Sequence, residues 1–140
     1  PKEGHDVLRA KGFRILSTPV KHGAPSIGLR VEFDAPGERG VVVYSSDTSP
    51  CASLIALARG ADVLIHEATF LHDEAARAAS DGHTTGYQAG EVARQAGVKR
   101  LILCHFSASL HEREDELRRE AVLSFGGPVE LAEELREYQA

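Results

Sequence analysis

The chain has 140 residues, 42% of them hydrophobic and 26% charged, with a formal net charge of −5. Those values describe one globular domain or part of one, exclude a disordered segment, and give no overall basic field for nucleic acid. No apolar run approaches the roughly 20 residues that cross a bilayer. The N-terminus does not read as a secretion signal, and two cysteines, Cys51 and Cys104, make neither a disulfide framework nor a zinc finger. Free thiols and a cytoplasmic location are expected. Local basic clusters stand at Lys2, Arg9, Lys11 and Arg14, and at Lys99 and Arg100. The chain starts at Pro1 and has no methionine, which fits a piece of a longer protein.

In chain order, "FRILSTPV" (13–20) and "IGLRVEF" (27–33) read as strands, separated by the Gly- and Pro-containing loop "KHGAPS". The turn "DAPGERG" (34–40) then leads into "VVVYSS" (41–46), so 27–33 and 41–46 form a predicted hairpin. From there strands and helices alternate. "SPCASLIALARG" predicts a helix capped by Ser49 with Pro50 at its first position, and "DVLIHE" (62–67) a buried strand. "TTGYQAGEVARQAG" predicts a helix opened by a Thr85–Gln88 capping box and stopped by Gly97. "KRLILCH" (99–105) is a third buried strand. A charged helix follows from a Ser109–Glu112 capping box, and "VELAEELREYQ" after "GGP" is a last predicted helix. The pattern is α/β.

Each of the three buried strands ends on a residue foreign to a core: Asp47 after "YSS", His66 and Glu67 in "LIHEATF", and His105 in "LILCHFSA". In open α/β sheets, sites gather beyond the carboxyl ends of strands. His22 lies in the loop before strand 27–33, and His83 precedes a helix start in "DGHTTGYQAG". Taken singly, each has an ordinary account as a loop carboxylate or surface imidazole, and His66 reads as structural. His5, His72 and His111 read as solvent-facing. Together, imidazoles and carboxylates at the ends of successive elements suit hydrolytic chemistry with a metal such as zinc.

The series "SDT", "HEATF", "GHTT" and "CHFS" resembles the C-terminal half of a metallo-β-lactamase-fold hydrolase, and within that superfamily the ribonuclease Z branch. The resemblance implies half of an αββα sandwich, a mixed sheet with flanking helices, spanning 1–140 as an incomplete domain. It implies a metal-dependent phosphodiester hydrolase, a tRNA 3′-endonuclease or a small phosphodiesterase. Asp47 would bridge two zinc ions, with His22 on one and His105 on the other. His83, oriented by Glu67, would face the scissile phosphate and protonate the leaving oxygen. Thr84 and Thr85 would cap the helix and lend a hydroxyl or N–H to the phosphate.

Two departures accompany the resemblance. The family's His-x-His-x-Asp-His string is absent, so His22, Asp47 and His105 alone leave both ions short of a tetrahedral set. A missing N-terminal half is therefore an expected partner. The sheet face it leaves bare should pair with that half or with a second copy. Only residues 23–46 lie between His22 and Asp47, enough for two strands and a turn but not for a tRNA-gripping arm. That favours a smaller phosphodiester, such as a cyclic nucleotide, or RNA gripped by other means. Hydrolysis of an ester, lactone or thioester, and a non-catalytic assembly module, are the alternatives.

Overall fold

The computed structural model describes residues 4–139, so Lys2 of the N-terminal basic cluster lies outside the described residues. Of that cluster, Arg9 and Arg14 both pair with Asp6, and Arg14 also with Glu32, which offsets part of its charge. Among the described residues, seven strands run in sheet order equal to chain order. They are β1 (His5–Ala10), β2 (Phe13–Pro19), β3 (Ile27–Ala35), β4 (Glu38–Tyr44), β5 (Val63–Glu67), β6 (Arg100–Cys104) and β7 (Val129–Leu131). β1 to β4 are antiparallel, and β4 to β7 are parallel. The α/β class and the mixed sheet agree with the expectation, and the predicted β3–β4 hairpin is present with a tighter turn.

The helices are α1 (Ala52–Ala58), α2 (Ala75–Asp81), α3 (Gly86–Ala96) and α4 (Glu114–Phe125). Strand register explains where the core sits. Leu16, Arg30, Val43, Leu64, Leu101 and Val129 form one cross-strand row. All but Arg30 join a buried cluster with Leu54 and Leu57 of α1, Val92 of α3 and Leu117 of α4. Each such side chain contributes roughly 1.5–3 kcal/mol on burial. Arg30 is kept in this row by spending Nη1 on the carbonyls of Leu57 and Arg59 at the end of α1. The other face carries Ile15, Leu29, Val31, Val42, Tyr44 and Ile65, which are only partly buried or, for Tyr44, 40% exposed.

Helices α3 and α4 meet at glycines four residues apart. A Cβ on Gly86 would lie 2.7 Å from the Leu117 carbonyl, and one on Gly90 would lie 2.5 Å from that of Ala121. Any larger residue would push the helices apart. The Thr85–Gln88 capping box and the left-handed Gly97 stop of α3 are as expected.

Five elements differ from the sequence reading, one of them α2, which it left unassigned. Strand β1 was not foreseen, because every one of its residues is exposed and no apolar alternation marks it. Helix α1 starts at Ala52 rather than at the Ser49–Pro50 signal, because the Ser49 N–H is held by the Lys21 carbonyl at 2.7 Å. Helix α4 starts after Arg113, because Ser109 is drawn into a 3₁₀ turn by Ser107, whose Oγ accepts the Ser109 N–H. The last predicted helix is instead β7 and a tail. Pro128 delivers Val129 to the open edge of β6, where ladder bonds outweigh helix propensity.

His66 is wholly buried in β5, and its Nδ1 lies 2.6 Å from the Glu67 carbonyl oxygen. Burial holds its pKa below the ordinary histidine value. The unfolded chain therefore takes up a proton on His66 below about pH 6.5 while the folded chain does not, and stability falls as pH drops through that range. Urea unfolding between pH 7 and pH 5 should show this, with a His66 limiting slope of ~1.4 kcal/mol per pH unit that disappears in His66→Leu.

Candidate metal and phosphate centre

The carboxyl ends of β4, β5 and β6 converge as expected. Their last residues are pinned by backbone devices rather than by packing. Ser46, one residue before Asp47, has a φ of 52°, and His105 has a φ of 55°. Side chains other than glycine adopt this left-handed region at a cost, and do so mostly where a site demands it. Ser46 is held there by its hydroxyl on the Ile27 carbonyl, and Ser45 Oγ accepts the Glu67 N–H at 3.0 Å.

Glu67 is the hub. Its carboxylate is 99% buried, since Glu67 is only 1% exposed. Oε1 accepts from the Thr48 N–H (3.0 Å) and from His83 Nδ1 (2.8 Å). Oε2 accepts from the N–H groups of Thr69 and Thr84 (both 3.1 Å) and lies 3.0 Å from Thr69 Oγ1. A buried carboxylate is tolerated only with this degree of satisfaction. Because it can only accept, His83 Nδ1 carries its proton there, and Nε2 is the ring nitrogen left for other work.

The histidines gather around this hub. The ring centroids of His22 and His83 are 5.0 Å apart, and those of His83 and His105 are 5.4 Å apart. His22 Nδ1 donates to the Gly82 carbonyl at 2.9 Å, which frees its Nε2. Gly82 has a φ of +82°, and a Cβ there would lie 2.9 Å from that same Nδ1, so the position takes glycine on both counts. His105 Nε2 stands 3.7 Å from Asp47 Oδ1, and both side chains are partly exposed. Cys104, next to His105, has its thiol pushed up to about 12 by burial, reinforced by Glu67 and Asp47. With no cation beside it, the thiol stays protonated.

On distance alone, one group among the described residues could hold a metal. Glu67, His83 and His105 bring ligand atoms within 4.8 Å of one another. Both Glu67 oxygens are already filled by donors, however, so a cation there would have to displace a buried hydrogen-bond set. His22, Asp47 and His105 instead offer imidazole nitrogens and a carboxylate oxygen, the donor types zinc accepts, and of these His105 Nε2 and Asp47 Oδ1 stand 3.7 Å apart.

Thr84 and Thr85 are corrected. Both are fully buried. The Thr84 N–H and hydroxyl are spent on Glu67 and the Thr48 carbonyl, and those of Thr85 on Gln88 and His72. Thr85 does cap α3, but neither residue has a donor left for a phosphate. His72 is exposed as expected, though its Nδ1 meets Thr85 Oγ1 at 3.1 Å. The residue that sequence reasoning missed is Thr69. Its usable signal is position: two residues beyond a buried carboxylate, a threonine can return both N–H and hydroxyl to it.

A family model described as "Beta-lactamase superfamily domain" matches residues 2–106. Ribonuclease Z of Salinibacter ruber is 50% identical over 105 residues, 74% of this chain and 32% of that protein. Ribonuclease Z of Thermobifida fusca is 40% identical over 134 residues, 91% of this chain and 39% of that protein. Among solved structures, the metallo-β-lactamase-fold protein YhfI from Bacillus subtilis superposes with a TM-score of 0.79 at 32% identity, over 92% of this chain and 50% of that one. The short form of human tRNase Z gives 0.76 at 26% identity, over 96% and 46%. The chain thus spans about a third of the length of the curated relatives it matches.

Proposed function

The chain belongs to the beta-lactamase superfamily, and from that premise we propose that it is the C-terminal part of a metal-dependent phosphodiester hydrolase of the ribonuclease Z type. The observation that carries this reading is the pairing of buried Glu67 with His83 at 2.8 Å, set beside a convergent His105 and Asp47. A phosphodiester's leaving oxygen needs a proton, which His83 can supply; an ester's needs one too, so it is the ribonuclease Z names of the relatives that favour phosphodiesters over esters.

His22, Asp47 and His105 would hold the zinc, which when bound would supply a Lewis acid for the phosphoryl oxygen and an acidified water. The rest falls to the chain. When His83 Nε2, the ring nitrogen not held by Glu67, is also protonated, it hydrogen-bonds a phosphate oxygen and then donates that proton to the leaving oxygen as the P–O bond breaks. Glu67 keeps Nδ1–H fixed throughout, and the ring regains its Nε2 proton from solvent. RNA is the substrate that the names of the relatives support. Residues 23–46 hold a loop and the β3–β4 hairpin, so a gripping arm at this point is not part of the design.

Three ligands are too few for two tetrahedral ions. The remaining ligands belong to an N-terminal half, and the partly exposed row of Ile15, Leu29, Val31, Val42, Tyr44 and Ile65 is the face on which that half would pack. The complete protein should cleave bis-aryl phosphate in preference to aryl acetate and lactone substrates. Preferential hydrolysis of the carbonyl substrates would overturn the assignment.

A further inference from the structure

We infer that Thr69 is a positioning residue that fixes the tautomer of His105, so that one buried carboxylate aligns both the proton donor and a metal ligand. Thr69 Oγ1 is 8% exposed at the residue level and lies between three groups. It is 3.0 Å from Glu67 Oε2, 3.1 Å from the His105 carbonyl oxygen and 3.0 Å from His105 Nδ1. A hydroxyl has one proton to give and lone pairs to receive. The carboxylate and the carbonyl can only accept, so the hydroxyl proton goes to one of them, and charge favours the carboxylate. The hydroxyl oxygen can then face His105 Nδ1 only as an acceptor. That puts the His105 proton on Nδ1 and leaves the Nε2 lone pair on the side of Asp47 Oδ1, 3.7 Å away.

The same Nδ1 contact rules out the other tautomer locally. With the proton on Nε2, His105 Nδ1 and Thr69 Oγ1 would face each other as two acceptors at 3.0 Å unless the hydroxyl abandoned Glu67. His83 needs no such intermediary, since its Nδ1 reaches Glu67 Oε1 directly at 2.8 Å. Its 3.3 Å approach to Thr69 Oγ1 is the longer contact. The chain of donors therefore runs from His105 through Thr69 to Glu67 on one oxygen, and from His83 to Glu67 on the other. Outer contacts of this kind orient metal-binding imidazoles and set which nitrogen is open. The functional meaning rests on His105 being a metal ligand, but the tautomer does not.

The test is a long-range ¹H–¹⁵N imidazole spectrum of the uniformly ¹⁵N-labelled complete protein, stripped of metal by chelation, at about pH 8 where free histidine is neutral. Wild type should show His105 as a single Nδ1–H tautomer. Thr69→Ser should preserve it. Thr69→Val, nearly the same shape without the hydroxyl, should move His105 toward the Nε2–H form that free imidazole prefers, and leave the His83 tautomer in place. An Nε2–H His105 in wild type would overturn the inference even if no variant folded. So would a Thr69→Val spectrum in which His105 is unchanged. Neither readout uses activity, so a complete protein that fails on phosphodiesters would refute the proposed reaction without touching this assignment.

Discussion

Replacing His83 by alanine is expected to lower phosphodiester turnover of the complete protein by ~10²–10⁴-fold, the usual worth of a positioned proton donor. Metal content should be unchanged. His83 gives Nδ1 to Glu67 and is 17% exposed at its side chain, so it faces the open side of the site. The ligand set of His22, Asp47 and His105 does not include it. The loss should fall on kcat rather than KM, because proton donation to the leaving oxygen matters only in the transition state. A substrate with a far better leaving group should recover most of the loss, since it departs without a proton. Elemental analysis of the variant decides the role: metal lost in step with activity would make His83 a ligand.

The second large effect concerns Glu67→Gln. The substitution keeps shape and removes charge, yet it should cost about 3 kcal/mol or more of stability. Glu67 accepts the N–H groups of Thr48, Thr69 and Thr84 in addition to His83 Nδ1 and the Thr69 hydroxyl. A glutamine amide has one oxygen and one NH₂, so whichever way it lies, an NH₂ meets donors where a carboxylate oxygen received them. Urea unfolding should show a fall in midpoint well beyond that of a surface substitution. Activity should fall with it, because His83 loses its fixed Nδ1 partner. A variant as stable as wild type would mean that the network is not closed as described.

The contrast between these residues shows where the sequence was informative. The convergence of Asp47, Glu67 and His105 was legible because buried strands advertise themselves as apolar runs, and a polar residue at the end of such a run is conspicuous. The capping box at Thr85 and Gln88 was legible because it is local in sequence. By contrast, β7 was read as a helix because its residues favour one, and only the open edge of β6 makes it a strand. Ser109 looked like a cap because its competitor, Ser107, satisfies a turn that propensity does not register. In the sequence Thr84 and Thr85 read as free donors, because nothing there shows that Glu67 and Thr48 already occupy the groups of Thr84. Thr69 escaped notice for the same reason: its role is a matter of which atoms lie 3 Å apart, not of residue type.

The left-handed backbone at Ser46 and His105 has a consequence for protein engineering. Both residues sit in a conformation that glycine adopts freely, one beside a proposed ligand and the other on it. A library screened for thermal endurance alone would reward glycine at 105, since relief of such strain commonly raises stability. The variants it returned would be hardier and would lack an imidazole where the cation should sit. Any stabilisation campaign on this scaffold has to hold position 105 fixed from the start.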